Sequence, residues 1–122
     1  MNTVLLTGNI ATDVEVRYTK TGKAVAQFNM ATNEKRGDEQ YADFHRVVVW
    51  EKLAEGVSSY QKGNAIIVIG KTRTRSYETE DGVKKYVTEI IANNVGLSAY
   101  NNANAPTNFD TFTSGVEEDV PF

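Results

Sequence analysis

Between Lys71 and Lys85 the chain places Lys71, Arg73, Arg75 and Tyr77 on one face of an extended segment, with Thr72, Thr74 and Ser76 on the other. Neither face is apolar enough for a core, so this segment should form a hairpin that projects from the body. Cations two residues apart, ending in an aromatic ring, suit a single strand of nucleic acid. The cations meet phosphates and the ring meets a base face. The plainer alternative is a solvated hairpin. A second segment repeats the mixture: Phe44, Arg46, Val48 and Trp50 share one face, and His45, Val47 and Val49 share the other. Phe and Trp on a strand are common core residues. Arg46 argues against a core here, because an unpaired buried guanidinium is costly. Lys35 and Arg36 precede this segment; they either extend the basic track or only keep a loop soluble.

The residues offer little for catalysis. There is one histidine and no cysteine. Asp43 and His45 lie two apart and can share a face, but two ligands do not make a metal site. His45 among valines reads as a buried or interface histidine. No glycine-rich phosphate loop and no serine in a nucleophile elbow is present. Glu78, Glu80 and Asp81 read as a solvated turn. The expectation is a non-enzyme with no cofactor and no metal.

The last six residues, Glu117, Glu118, Asp119, Val120, Pro121 and Phe122, run three acids into a small apolar plug. Pro121 favours extended backbone, and Phe122 ends the sequence beside its carboxylate. Such a segment suits a partner's pocket lined by basic residues; the alternative is an ordinary solvated terminus. Charge divides the same way. Residues 1–100 carry all 13 Lys and Arg against 12 of the 16 acids, for a net +1. The remaining residues carry four acids and no base, so the net charge of −3 hides a near-neutral body with an acidic tail. Three parts are expected: a folded domain over 1–100, a flexible linker over 101–116 without hydrophobic periodicity, and the acidic partner-binding segment over 117–122. With no stretch approaching about 18 apolar residues, neither signal peptide nor membrane span is expected. The absence of cysteine suits a reducing compartment.

The elements that must position these groups read as strands. Asn2 to Ile10 is a strand interrupted by Gly8, continued by Val14 to Tyr18. Ala24 to Asn33 alternates, with Ala24, Ala26, Phe28 and Met30 on one face. Glu34 to Gln40 reads as a charged loop and Ala42 to Trp50 as a strand. Lys52 to Lys62 reads as a helix, with Leu53, Val57 and Tyr60 at i, i+4, i+7 and Gly63 as its stop. Ala65 to Tyr77 and Val83 to Ala92 flank a turn at Asp81-Gly82. Three strands, one short helix and two strands describe an all-β, five-stranded OB-fold barrel, followed here by a disordered acidic C-terminal tail. In that fold the second and third strands carry the ligand face, which is where Phe44, Arg46 and Trp50 lie.

These segments resemble the single-stranded DNA-binding proteins of bacteria and their phages. The resemblance rests on Val4-Leu5-Leu6-Thr7-Gly8-Asn9-Ile10, Val14-Glu15-Val16-Arg17-Tyr18, Phe44-His45-Arg46-Val47-Val48-Val49-Trp50, Lys52-Leu53-Ala54-Glu55, Tyr60-Gln61-Lys62-Gly63, Gly70-Lys71-Thr72-Arg73-Thr74-Arg75 and the terminal Glu118-Asp119-Val120-Pro121-Phe122. It implies a homotetramer that wraps single-stranded DNA with little sequence preference. It also implies a tail that recruits replication, recombination and repair enzymes, in the cytoplasm and nucleoid of a bacterial or phage-infected cell. The family's base-stacking rings fall on Phe44, Trp50 and Tyr77, and its basic contacts on Arg46, Lys62, Lys71, Arg73 and Arg75. Three features depart from the pattern. Lys35-Arg36 stand where a tryptophan is often found, Phe44 replaces a common tryptophan, and the linker is short and poor in Gly, Pro and Gln.

Overall fold

The computed structural model describes residues 1–98. The expected linker (101–116) and acidic segment (117–122) lie outside the described residues. The elements follow as β1 (Val4–Ile10), β2 (Glu15–Tyr18), β3 (Ala24–Arg36), β4 (Glu39–Trp50), α1 (Glu51–Val57), β5 (Ala65–Glu78) and β6 (Lys84–Leu97). β1 and β2 are two halves of one curving strand. β1 runs antiparallel to β5 from Val4↔Gly70 to Asn9↔Ala65, and its end turns onto β3 at Ile10↔Met30. β2 then continues along β3 from Glu15↔Gln27 to Tyr18↔Ala24. β3 pairs with β4, β4 runs parallel to β6, and β6 pairs with β5. The circuit is closed, and with β1 and β2 taken as one strand it is a five-stranded OB-fold barrel with its helix between the third and fourth strands.

The period-2 pattern of β3 forms the core because one face of each strand turns inward. Ala24, Ala26, Phe28 and Met30 are buried and meet Val47 and Val49 of β4. Ile66 and Val68 of β5 and Ile90 and Ala92 of β6 complete the wall. Ala54 and Val57 of α1 are also buried, while Leu53 and Tyr60 pack against the core. The helix ends at Val57, not at Lys62. Tyr60 donates its backbone N–H to the Val57 carbonyl in a following turn, and Gly63 takes φ +97°. Tyr60 still reaches the core from that turn, which is why the apolar spacing runs past the helix. Two further boundaries differ from expectation. Residues 34–40 are not a loop, because β3 and β4 stay paired up to Arg36↔Glu39 around a turn at Gly37 and Asp38. β6 also runs on past Ala92 to Leu97.

Closure depends on two glycines. Gly8 lies where β1 leaves β5 for β3, and a Cβ there would sit 2.0 Å from the Ala31 carbonyl oxygen. Gly70 lies at the register shift between β5 and β6, and a Cβ there would sit 2.1 Å from the Ile91 carbonyl oxygen. Both obstacles are backbone, which cannot rotate aside. Gly56 of α1, by contrast, has open space around it. Gly70→Ala should therefore cost about 2–3 kcal/mol, as overpacked sites do, and lower the thermal midpoint by about 10–20 °C. Gly56→Ala should raise stability by about 0.5–1 kcal/mol through helix propensity. Thermal melts followed by circular dichroism check both; a Gly70→Ala midpoint equal to the parent's contradicts the account.

Candidate nucleic-acid interface

The outward residues of four neighbouring strands form one face. On β4 these are Phe44, Arg46, Val48 and Trp50, and the β3 register sets Gln27 beside Val48 and Asn29 beside Arg46. The parallel pairing Val48↔Ile91 brings Ile91 and Glu89 of β6 onto the same side. Across β6 lie Lys71↔Ile91, Arg73↔Glu89, Arg75↔Val87 and Tyr77↔Lys85 of β5. Seven of the eight candidates named from the sequence thus share this face, and Lys62 does not join them. Lys62 is exposed in the turn after α1, where the neighbouring Gly63 bonds through its backbone to Ile10 and the Asn9 side chain.

The rings are available for contact. Phe44 is 66% exposed, Tyr77 47% and Trp50 41%, values no core aromatic shows. Trp50 owes its place to the β4–α1 junction. It has extended backbone (φ −113°, ψ 148°), and Glu51 takes the left-handed φ of 59°. That conformation is costly for a residue with a Cβ. It turns the chain sharply into α1 directly after the exposed ring.

The cations fall into two kinds. Lys71 and Arg73 are exposed and make no ion pair among the described residues. Arg46 and Arg75 are half-exposed and both reach Glu89. Arg75 Nε donates to Glu89 Oε1 at 3.0 Å, and Arg46 Nε lies 3.5 Å from Glu89 Oε2. Arg46 Nη2 also donates to Gln27 Oε1 at 3.0 Å. The reading that Arg46 belongs outside the core therefore holds, and its charge is compensated as well. His45 faces the other way, half-buried, with Nε2 2.9 Å from the Thr32 hydroxyl.

Beside Arg46 a groove of about 450 Å³ is walled by Asp13, Glu15, Gln27 and Asn29. Its carboxylates set an acidic border to the basic face. At the β3–β4 turn, Arg36 stacks 5.8 Å from the centre of the Tyr41 ring. The Tyr41 phenol donates to Glu39, and this bond to a carboxylate, followed by desolvation, raises its pKa above the ordinary tyrosine value. Sequence reasoning missed Glu89, Gln27, Tyr41 and Tyr86. Tyr86 is exposed on the opposite face of the β5–β6 arm beneath Lys84. Tyr41 and Tyr86 carried a signal, as rings amid charged strand residues. Among the described residues no group of three or more His, Cys, Asp or Glu is arranged to hold a metal ion, and no helix is long and apolar enough to cross a membrane.

The topology and this face together define an OB-fold domain of the kind that carries its ligand across strands. The profile of the Single-strand binding protein family matches residues 1–98, and the chain belongs to that family. It is 43% identical over 135 residues to Single-stranded DNA-binding protein 3 of Listeria innocua, covering 98% of this chain and 84% of the relative. It is 37% identical to Single-stranded DNA-binding protein 1 of Streptococcus pyogenes, covering 100% and 99%. Single-stranded DNA-binding protein 3 of Clostridium acetobutylicum is 42% identical, covering 96% and 85%.

Proposed function

We propose that the chain is a non-catalytic protein that binds single-stranded DNA without sequence preference, coats and protects it during replication, recombination and repair, and recruits partner enzymes through residues 117–122. The observation that carries the reading is the placement of three exposed rings and five cations, the four named from the sequence and Lys85 opposite Tyr77, on one continuous outer face. Phe44, Trp50 and Tyr77 offer π-faces to bases of any identity. Lys71 and Arg73 offer uncompensated charge to phosphates, and Arg46 and Arg75 offer what Glu89 leaves free. Lys62 enters only if the strand continues around the barrel towards the end of β1. An enzyme reading has no acid–base set to rest on, and a protein-docking reading fits poorly with so charged a face.

Each of Phe44→Ala, Trp50→Ala and Tyr77→Ala should lose about 1–3 kcal/mol of oligo-dT affinity. Arg73→Ala should reduce the magnitude of the log K against log salt slope by about 0.7. Fluorescence of the single tryptophan, Trp50, titrated with oligo-dT reads the parent directly by quenching. Parent-like binding by both Trp50→Ala and Tyr77→Ala would remove the platform assignment.

Assembly into a homotetramer is proposed on family grounds and on a second outward surface. Leu5 of β1 and Ile67 and Ile69 of β5 are exposed, with Leu5 directly opposite Ile69. Apolar strand residues grouped in this way support the proposal of a surface covered by another subunit. Light scattering at micromolar concentration should give about four times the 13.5 kDa chain mass; a monomer mass excludes it.

The acidic segment is proposed as a docking peptide and a weak competitor for the basic face. A linker of about 16 residues has an r.m.s. reach of roughly 20–25 Å, and its charges are screened beyond about 10 Å at 0.1 M salt. Deleting residues 117–122 should tighten oligo-dT binding at low salt, with the gain fading as salt rises. The same deletion, or loss of Phe122 alone, should abolish capture of replication and repair enzymes. Equal recovery by full-length and Phe122-deleted protein would show the segment to be a plain solvated end.

A further inference from the structure

Glu89 is an anomaly on a face suited to polyanions. It is 5% exposed and is the one buried charged residue among the described residues, yet it sits in the middle of the basic surface. A buried carboxylate is retained only where partners compensate it. Its partners are Arg46 from β4 and Arg75 from β5, which flank β6 on its two sides, one at each carboxylate oxygen. Both arginines engage it through Nε. Gln27 takes Nη2 of Arg46, which fixes that guanidinium from a third strand.

From this arrangement we infer that Glu89 is a positioning residue for the DNA face, acting through Arg46 and Arg75. Two long side chains that would otherwise sample many rotamers are held by one rigid acceptor. Their ordering is then settled before the strand arrives, which is where preorganised sites gain affinity. The three groups together present a net single positive charge, so the gain comes from direction more than from charge. The inference rests on the proposed binding of single-stranded DNA and names a residue that serves it without touching the strand.

Glu89→Gln tests it, because it keeps the shape and one acceptor while removing the charge that holds both guanidiniums. The parent is titrated first with oligo-dT at 0.2 M NaCl; if it does not bind, the functional reading itself fails and takes this inference with it. With the parent bound, Glu89→Gln should weaken affinity about 5–10-fold. The same change made in an Arg46→Ala, Arg75→Ala background should have no further effect, since coupling through shared partners vanishes with them. Arg75→Lys keeps the charge and the buried carboxylate but lacks Nε; should Glu89→Gln fold poorly, this variant decides the matter, weakening the parent by a similar factor if the inference holds and binding like the parent if it does not. Unchanged affinity with a lowered melting temperature would reduce Glu89 to a fold-stabilising role and overturn the inference. Tighter binding with a steeper salt slope would also overturn it, revealing only a charge brake. An equal loss in the arginine-free background overturns it too.

Discussion

Everything on the outer face depends on the barrel being closed, and closure depends on β1 changing partners. One strand pairs first with β5 and then with β3, which is possible only if the backbones approach closely at the crossing. Gly8 allows that approach, because no side chain fits against the Ala31 carbonyl, and Gly70 does the same for β5 and β6 at their register shift, against the Ile91 carbonyl. The closed sheet has no free run of backbone donors between its first and last strands, so the usual exposure of sheet edges is confined to β2 and to the two arms. Closure turns one side of β3, β4, β6 and β5 into the core, and the strand order leaves their outward residues side by side on one face.

On that surface the balance between charge and geometry is specific. Its cations would repel one another and wander if left alone. Glu89 removes part of the repulsion and restrains two of them, while Lys71 and Arg73 stay free. The rings flank this charged centre, Phe44 and Trp50 on β4 and Tyr77 out on the β5 arm. The face thus mixes restrained cations, free cations and flat apolar surface, the combination on which the proposed sequence-independent binding rests.

The alternation at Ala24, Ala26, Phe28 and Met30 was legible because one side of β3 is buried and the other is not. The same contrast made Phe44, Arg46 and Trp50 readable as one face. Contrast fails at residues 34–40: both sides of that ribbon are polar and exposed, so a paired strand looks like a loop. It fails again at Tyr60, whose apolar contact with the core continues a helical spacing after the helix has stopped. Glu89 was invisible for a deeper reason. An acid between Thr88 and Ile90 reads as solvent-facing, and its partners come from strands whose adjacency is set by the parallel β4–β6 pairing. No local pattern encodes that adjacency.

That parallel pairing also decides which part of the molecule can carry the face. The β3–β4 and β5–β6 ribbons are hairpins, closed by short turns and able to form from local contacts. The seam between them joins Val47 and Val48 to Ile90 and Ile91, residues far apart along the chain. Strand pairing across that separation loses more chain entropy before it gains contacts than a hairpin does. Arg46 lies on one side of the seam, and Arg75 and Glu89 lie on the other. The face of rings and cations therefore does not exist in either ribbon alone: it needs the seam that joins them, so a chain with only its hairpins formed lacks the surface proposed to hold a strand.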